Sequence, residues 1–100
     1  SKLENIVYLE LISRNYKVST GKLYDLEVDF VAVRGKQKIY IQVAYLLHDK
    51  KVVERESGSL KGIRDNYPKI IVSIDRYFEG DLNGIKWFNL IDFLLNEESG

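Results

Sequence analysis

Apolar residues along this chain change their spacing several times, and each change marks an element. From Leu3 to Arg14 they recur at helical intervals, with Leu3, Ile6, Val7 and Leu11 on one stripe. Tyr16 to Thr20 reads as a short strand and Gly21 to Leu26 as a turn or loop. Two alternating segments follow, Glu27 to Arg34 and Lys38 to Leu46, joined at Gly35-Lys36. If those two residues form a tight hairpin turn with Gly first, Phe30 faces Ile41, Ala32 faces Ile39, Val28 faces Val43 and Asp29 faces Gln42. Asp49 is placed to cap a charged helix beginning at Lys50. Ser57-Gly58-Ser59 is expected to interrupt that helix before it resumes to Arg64, and Asn66-Tyr67-Pro68 ends it because the residue before Pro avoids helical geometry. Lys69 to Ile74 is an apolar, β-branched strand of the buried type. Arg76 to Gly84 reads as a loop, Ile85 to Asn89 as a last strand, and Leu90 to Asn96 as a helix capped by Asn89.

The expected order is therefore α-β-β-β-α-β-β-α. A helix between the third and fourth strands permits a parallel crossover, so the fold class is α/β, a mixed β-sheet flanked by helices. One hundred residues make a single domain, 1–100. Without an initiator Met, and opening directly on a helix pattern, it is expected to be excised from a longer protein.

Composition narrows the function classes. Fifteen basic and fifteen acidic side chains balance, so only a local patch would draw nucleic acid, and nothing calls for a membrane. The absence of Cys removes disulfides and thiolate metal sites and fits a reducing, cytoplasmic setting. One His and no Cys exclude the common nucleophilic triads, and no Walker or Gly-rich phosphate loop is present, so the chain does not hydrolyse ATP by itself. His48 has no second His or Cys for a zinc set and reads as a loop residue.

Three polar residues fall among apolar ones. Asp29 and Gln42 share a ribbon face with Val31 and Tyr40, and Glu10 falls within the arc of the first helix's apolar stripe. Buried polar groups need partners. If the stripe packs on the sheet face carrying Asp29, then Glu10, Asp29 and Gln42 converge as hard oxygen ligands suited to Mg2+ or Mn2+. Each also has a plainer reading. Asp29 would be a strand-end carboxylate bonded to a backbone N–H or a basic side chain, Glu10 would be ion-paired at the helix edge, and Gln42 would be a satisfied amide.

A Glu on the first helix, an Asp on the second strand and an (Asp/Glu/Gln)-x-Lys tripeptide on the third resemble the pattern of PD-(D/E)xK nucleases, the restriction-endonuclease-like fold. Five segments together are similar to the C-terminal domain, of unknown function, of bacterial and archaeal AAA-type ATPases. They are Leu3–Leu11, Glu27–Val31, Tyr40–Tyr45, Asp65–Lys69 and Gly84–Leu94. The resemblance implies Glu10 as the helix glutamate, Asp29 as the metal-binding aspartate and Gln42 at the variable acidic position. It also implies an N-terminal ATPase domain in the same protein and DNA as a substrate class. Ala44 departs from it, standing where the catalytic Lys belongs, and Ala neither orients nor activates water. A relocated Lys38, Lys61 or Arg64 is the alternative. The expectation is thus a degenerate, non-catalytic accessory domain with a binding or regulatory role. The rivals are an active Mg-dependent nuclease and a protein-interaction domain without a metal site.

The remaining features have bland readings. Basic and acidic residues alternate from His48 to Lys69, as on a solvated helix face, and the tyrosines are spread rather than clustered. Tyr8, Leu9 and Ile12 form a second apolar side on the first helix, either covered by the C-terminal helix or a loop, or open for docking.

Overall fold

A serine and a glutamate start the first helix. In the computed structural model, which describes residues 1–23 and 26–96, α1 (Lys2–Ser13) opens with a capping box between Ser1 and Glu4. Asn15, left-handed at φ 67°, closes it, with the Asn15 and Tyr16 N–H groups donating back to Ile12 and Leu11 carbonyls. The chain then forms β1 (Lys17–Leu23), β2 (Leu26–Arg34), β3 (Gln37–Ala44), α2 (Lys50–Lys61), β4 (Lys69–Ser73), β5 (Gly80–Leu82), β6 (Ile85–Asn89) and α3 (Leu90–Leu95). Tyr24 and Asp25, part of the expected turn before β2, lie outside the described residues.

The fold is α/β. The six strands form one mixed sheet in the order β1-β2-β3-β4-β6-β5. β1, β2 and β3 run antiparallel in sequence, β3, β4 and β6 are mutually parallel, and β5 is antiparallel to β6. The hairpin register is the expected one from Phe30↔Ile41 through Val31↔Tyr40 and Ala32↔Ile39 to Arg34↔Gln37. Gly35, at φ 61°, supplies the turn.

Two apolar layers cover the sheet. Leu3, Val7 and Leu11 of α1 and Phe93 of α3 pack with Phe30, Ala32, Ile39, Ile41, Ile70 and Val72 on one face. Leu60 of α2 packs with Tyr40, Ala44, Ile71, Ile85 and Trp87 on the other.

Three expectations are corrected. The loop from Arg76 to Gly84 contains β5, making the order α-β-β-β-α-β-β-β-α. Its hairpin turns on Asn83 and Gly84, both at positive φ, with Leu82 paired to Ile85. Helix α2 runs unbroken through Ser57-Gly58-Ser59, because Ser57 turns inward and its hydroxyl donates to the Glu54 carbonyl. Val28 does not share the Phe30 face. Two residues of β2, Asp29 and Phe30, oppose Thr20 alone on β1, and this bulge turns Val28 into the α2-side cluster.

Candidate functional site

The polar corner of the sheet lies where the β2–β3 ladder gives out. Regular pairing ends at Phe30↔Ile41, and two side chains carry the connection onward. The Asp29 N–H donates to Gln42 Oε1 at 3.0 Å, and the Val43 N–H donates to Asp29 Oδ2 at 2.8 Å. Each side chain thus satisfies a backbone N–H that the bulged strand can no longer pair. Gln42 lies between Tyr40 and Ala44 on the α2 face, and Ala44 itself is buried in that layer.

Burial pushes the Asp29 carboxyl above its ordinary range; the Val43 N–H pulls it down, while Glu4, Glu56 and Glu27 push it further up. Glu4 and Glu27 line, with Asp29, a shallow hollow of about 360 Å³ between the start of α1 and the bulge. Glu4 is already engaged in its capping box, which holds its carboxyl below the usual range through hydrogen bonds from Ser1.

Glu10 does not join this corner. Helix α1 lies on the sheet face opposite Tyr40 and Ala44, and Glu10 accepts a hydrogen bond from Arg14 Nε at 2.7 Å. Arg14 also donates to the Phe93 carbonyl and lies 4.9 Å over the Phe93 ring, so the pair ties α1 to α3. Glu4, one turn into α1, is the helix carboxylate that borders Asp29. Sequence reading passed over it, although Ser1-x-x-Glu4 is a legible helix-start signature.

The donors present do not fit the expected Mg2+ or Mn2+ set of Glu10, Asp29 and Gln42. Glu10 is paired with Arg14 toward α3, and one oxygen each of Asp29 and Gln42 already accepts a backbone N–H. Among the described residues no cluster of three or more His, Asp or Glu is arranged to hold a metal ion. The candidate replacement lysines lie elsewhere. Lys38 precedes Gln42 by four residues, about 13 Å along a strand, and sits over the rings of Tyr40 and Tyr67. Lys61 borders the hollow formed by Asp65, Tyr67 and Lys69, beside the start of β4. His48 is exposed and lies 3.5 Å from Asp49.

A second polar knot holds the carboxyl ends of the parallel strands. Asp75 Oδ2 accepts the Leu47 and His48 N–H groups, and Ser73 donates to Asp75. Buried Asn89 donates to the Ile74 carbonyl while accepting the Ile91 N–H as the cap of α3. These groups satisfy one another and fix the loops around the corner.

No protein-family model matches the chain. It is 37% identical over 95 residues to an uncharacterized protein of Haemophilus influenzae, a match that takes in 95% of this chain. The chain spans 23% of that relative's length. Among the described residues no helix is long and apolar enough to cross a membrane.

Proposed function

We propose that this domain is a non-catalytic accessory module with a degenerate PD-(D/E)xK nuclease-like scaffold, serving a binding or regulatory role within a longer AAA-type ATPase. The observation that carries the non-catalytic reading is the use made of Asp29 and Gln42. Their oxygens accept the Val43 and Asp29 N–H groups, and a buried methyl, Ala44, stands where the resemblance would put the nuclease lysine. The length of the Haemophilus relative, more than four times the matched segment, supports a place in a larger polypeptide.

One observation favours a second reading, an Mg2+-dependent nuclease acting on DNA. Glu4 and Asp29 border one hollow and repel one another, as metal ligands do before the metal arrives.

Thermal unfolding with Mg2+, Mn2+ or EDTA, for wild type and Asp29→Asn, separates the two. The accessory reading expects the same melting temperature in all three conditions. A metal-dependent rise in wild type that the variant lacks would establish a living site and sink the non-catalytic reading.

A further inference from the structure

A hollow of about 310 Å³ opens at the amino ends of β4 and β6, beside the last turn of α2. Buried Leu60, Ile63 and Ile85 floor it, and exposed Lys61, Asn66, Tyr67 and Asn83 rim it. We propose that it binds a small phosphorylated ligand with a planar ring, a mononucleotide in size and chemistry. Lys61 draws the phosphate, Tyr67 packs on the ring, and Lys38 adds positive charge beside them.

The rim is built before any ligand arrives. Lys69, its side chain 11% exposed, donates to the Asp65 carbonyl at 2.7 Å and the Tyr67 carbonyl at 2.9 Å, and pairs with Asp65 Oδ1 at 3.4 Å. Asp65 Oδ1 also accepts the Tyr67 N–H at 3.0 Å, and Oδ2 accepts the hydroxyl of buried Tyr40. The Pro68 carbonyl accepts the Tyr40 N–H at 3.0 Å. The segment 65–69 is thus wrapped around one ammonium and pinned to the sheet, while the Tyr67 ring stays 43% exposed. A ring already held on a fixed loop loses little freedom when a ligand packs on it.

The same bonds decide the sign of the charge. Among the described residues Asp65 is the only acid lining the hollow, and its oxygens already face Tyr40, Tyr67 and Lys69. Lys61 has no ion-pair partner among the described residues. Neither has Lys38, whose ammonium lies 5.3 Å from the Tyr40 ring and 5.4 Å from the Tyr67 ring. The carboxyl end of α2 carries about half a negative charge, so the two lysines leave the hollow net positive.

Size and lining select the ligand class. The volume is at the small end of ligand sites and suits one small molecule. An apolar floor and an exposed phenol suit a flat ring, and the amides of Asn66 and Asn83 offer donors and acceptors to its edge. A bare anion would leave the floor and the ring unused, and an uncharged ring would leave the lysines unused. The hollow lies at the opposite end of the parallel strands from Gln42 and Asp29, and the proposal does not depend on the reading of that corner.

Amide chemical shifts of the isotope-labelled chain, titrated with adenosine monophosphate, adenosine or inorganic phosphate, test this. The monophosphate should move amides at positions 60–69 and 83–85 saturably, with a Kd of about 0.1–3 mM, and the other two should bind at least about tenfold more weakly. Lys61→Gln should weaken the monophosphate by about 3–10-fold and leave adenosine unchanged. Tyr67→Ala should weaken it by about 5–50-fold, while keeping the backbone N–H that Asp65 accepts. If Tyr67→Ala fails to fold, Lys61→Gln carries the test, because its side chain is exposed. A monophosphate that moves no amide at these positions up to about 10 mM overturns the proposal. So does inorganic phosphate binding as tightly as the monophosphate, which would mark an adventitious ion only. So does a folded Lys61→Gln or Tyr67→Ala protein that binds the monophosphate like wild type.

Discussion

Replacing Asp29 by Ala and by Asn separates its hydrogen bond from its charge. The carboxylate accepts the Val43 N–H at 2.8 Å, at the point where β2 and β3 stop pairing. Ala removes the acceptor and leaves a part-buried N–H with nothing in its place, a loss of about 1–3 kcal/mol where water is excluded. Because the site is half-open, the lower part of that range applies, about 1–2 kcal/mol, or roughly 5–15 °C in Tm for a domain of this size. Asn keeps an oxygen acceptor and discards the charge. The sign of the charge effect follows from the raised carboxyl, whose causes are burial first and then Glu4, Glu56 and Glu27, against the opposing Val43 N–H. A folded-state pKa above the unfolded value means the folded protein holds this proton more tightly. The stabilisation is complete below the ordinary carboxylate range and is lost as pH rises through the raised value. At neutral pH the ionised form is therefore a net cost. Asp29→Asn should melt at or above wild type at pH 7, and the wild-type-minus-variant difference should fall with pH across that window. Urea and thermal unfolding between about pH 3 and pH 8 measure both effects. If Asn proves as damaging as Ala, the charge and not the acceptor holds the corner. If Ala is harmless, Asp29 has no structural part there.

Two further substitutions test the core's polar accounts. Tyr40 is fully buried and its hydroxyl donates to Asp65, so Tyr40→Phe should cost about 1.5–3 kcal/mol in urea unfolding. Burial pushes the Asp65 carboxyl up, but the Tyr40 hydroxyl, the Tyr67 N–H and Lys69 outweigh it and hold it below its ordinary range. That stabilisation is present above the unfolded carboxylate range and lost as pH falls through the lowered value; Tyr40→Phe removes part of it beforehand, so the variant should lose less stability on acidification and its gap to wild type should narrow as pH falls. Tyr16 is the opposite case, a buried ring whose hydroxyl has no hydrogen-bond partner. Tyr16→Phe should be neutral or stabilising by up to about 1 kcal/mol in the same assay, and a loss of more than that would mean the hydroxyl is satisfied in solution.

The alternating segments on either side of Gly35 were legible because a half-buried hairpin repeats every two residues and its turn needs a positive φ that Gly supplies. The caps at Asp49 and Asn89 were legible for an equally local reason, a side-chain oxygen placed to accept an early helical N–H. Strand β5 was missed although Asn83-Gly84 is the strongest short hairpin signal there is, because its three exposed residues show no apolar alternation. The continuity of α2 through Ser57-Gly58-Ser59 goes with the burial of Ser57 and Leu60 beneath the helix, a tertiary choice that propensity does not record. The bulge at Asp29 was invisible for a deeper reason. It is a mismatch between two strands, and β1 alone carries no mark of it beyond Gly21. Its consequence for the candidate site is large, since it replaces the ladder that would have paired Asp29 with Gln42. Glu10 was legible in its plainer reading, an ion pair at the helix edge: Arg14 stands four residues on, where a helix brings opposite charges together.

Ala44 is where the nuclease resemblance breaks, and its surroundings give the break a physical meaning. The residue is buried in the layer that holds Leu47 and Leu60 under α2. A lysine there would have to carry its stem through that layer and lose much of the hydration of its ammonium. Such a cation beside Asp29 would hold the carboxyl down; the carboxyl is instead raised. With no cation in that position, a second acid at residue 42 would add like-charge repulsion to the cost of burial. Gln42 avoids it and still offers an oxygen to the Asp29 N–H. The methyl at 44, the amide at 42 and the raised carboxyl at 29 are therefore mutually consistent. They describe one corner held by hydrogen bonds to the backbone, in which residues 42 and 44 place no second charge beside Asp29.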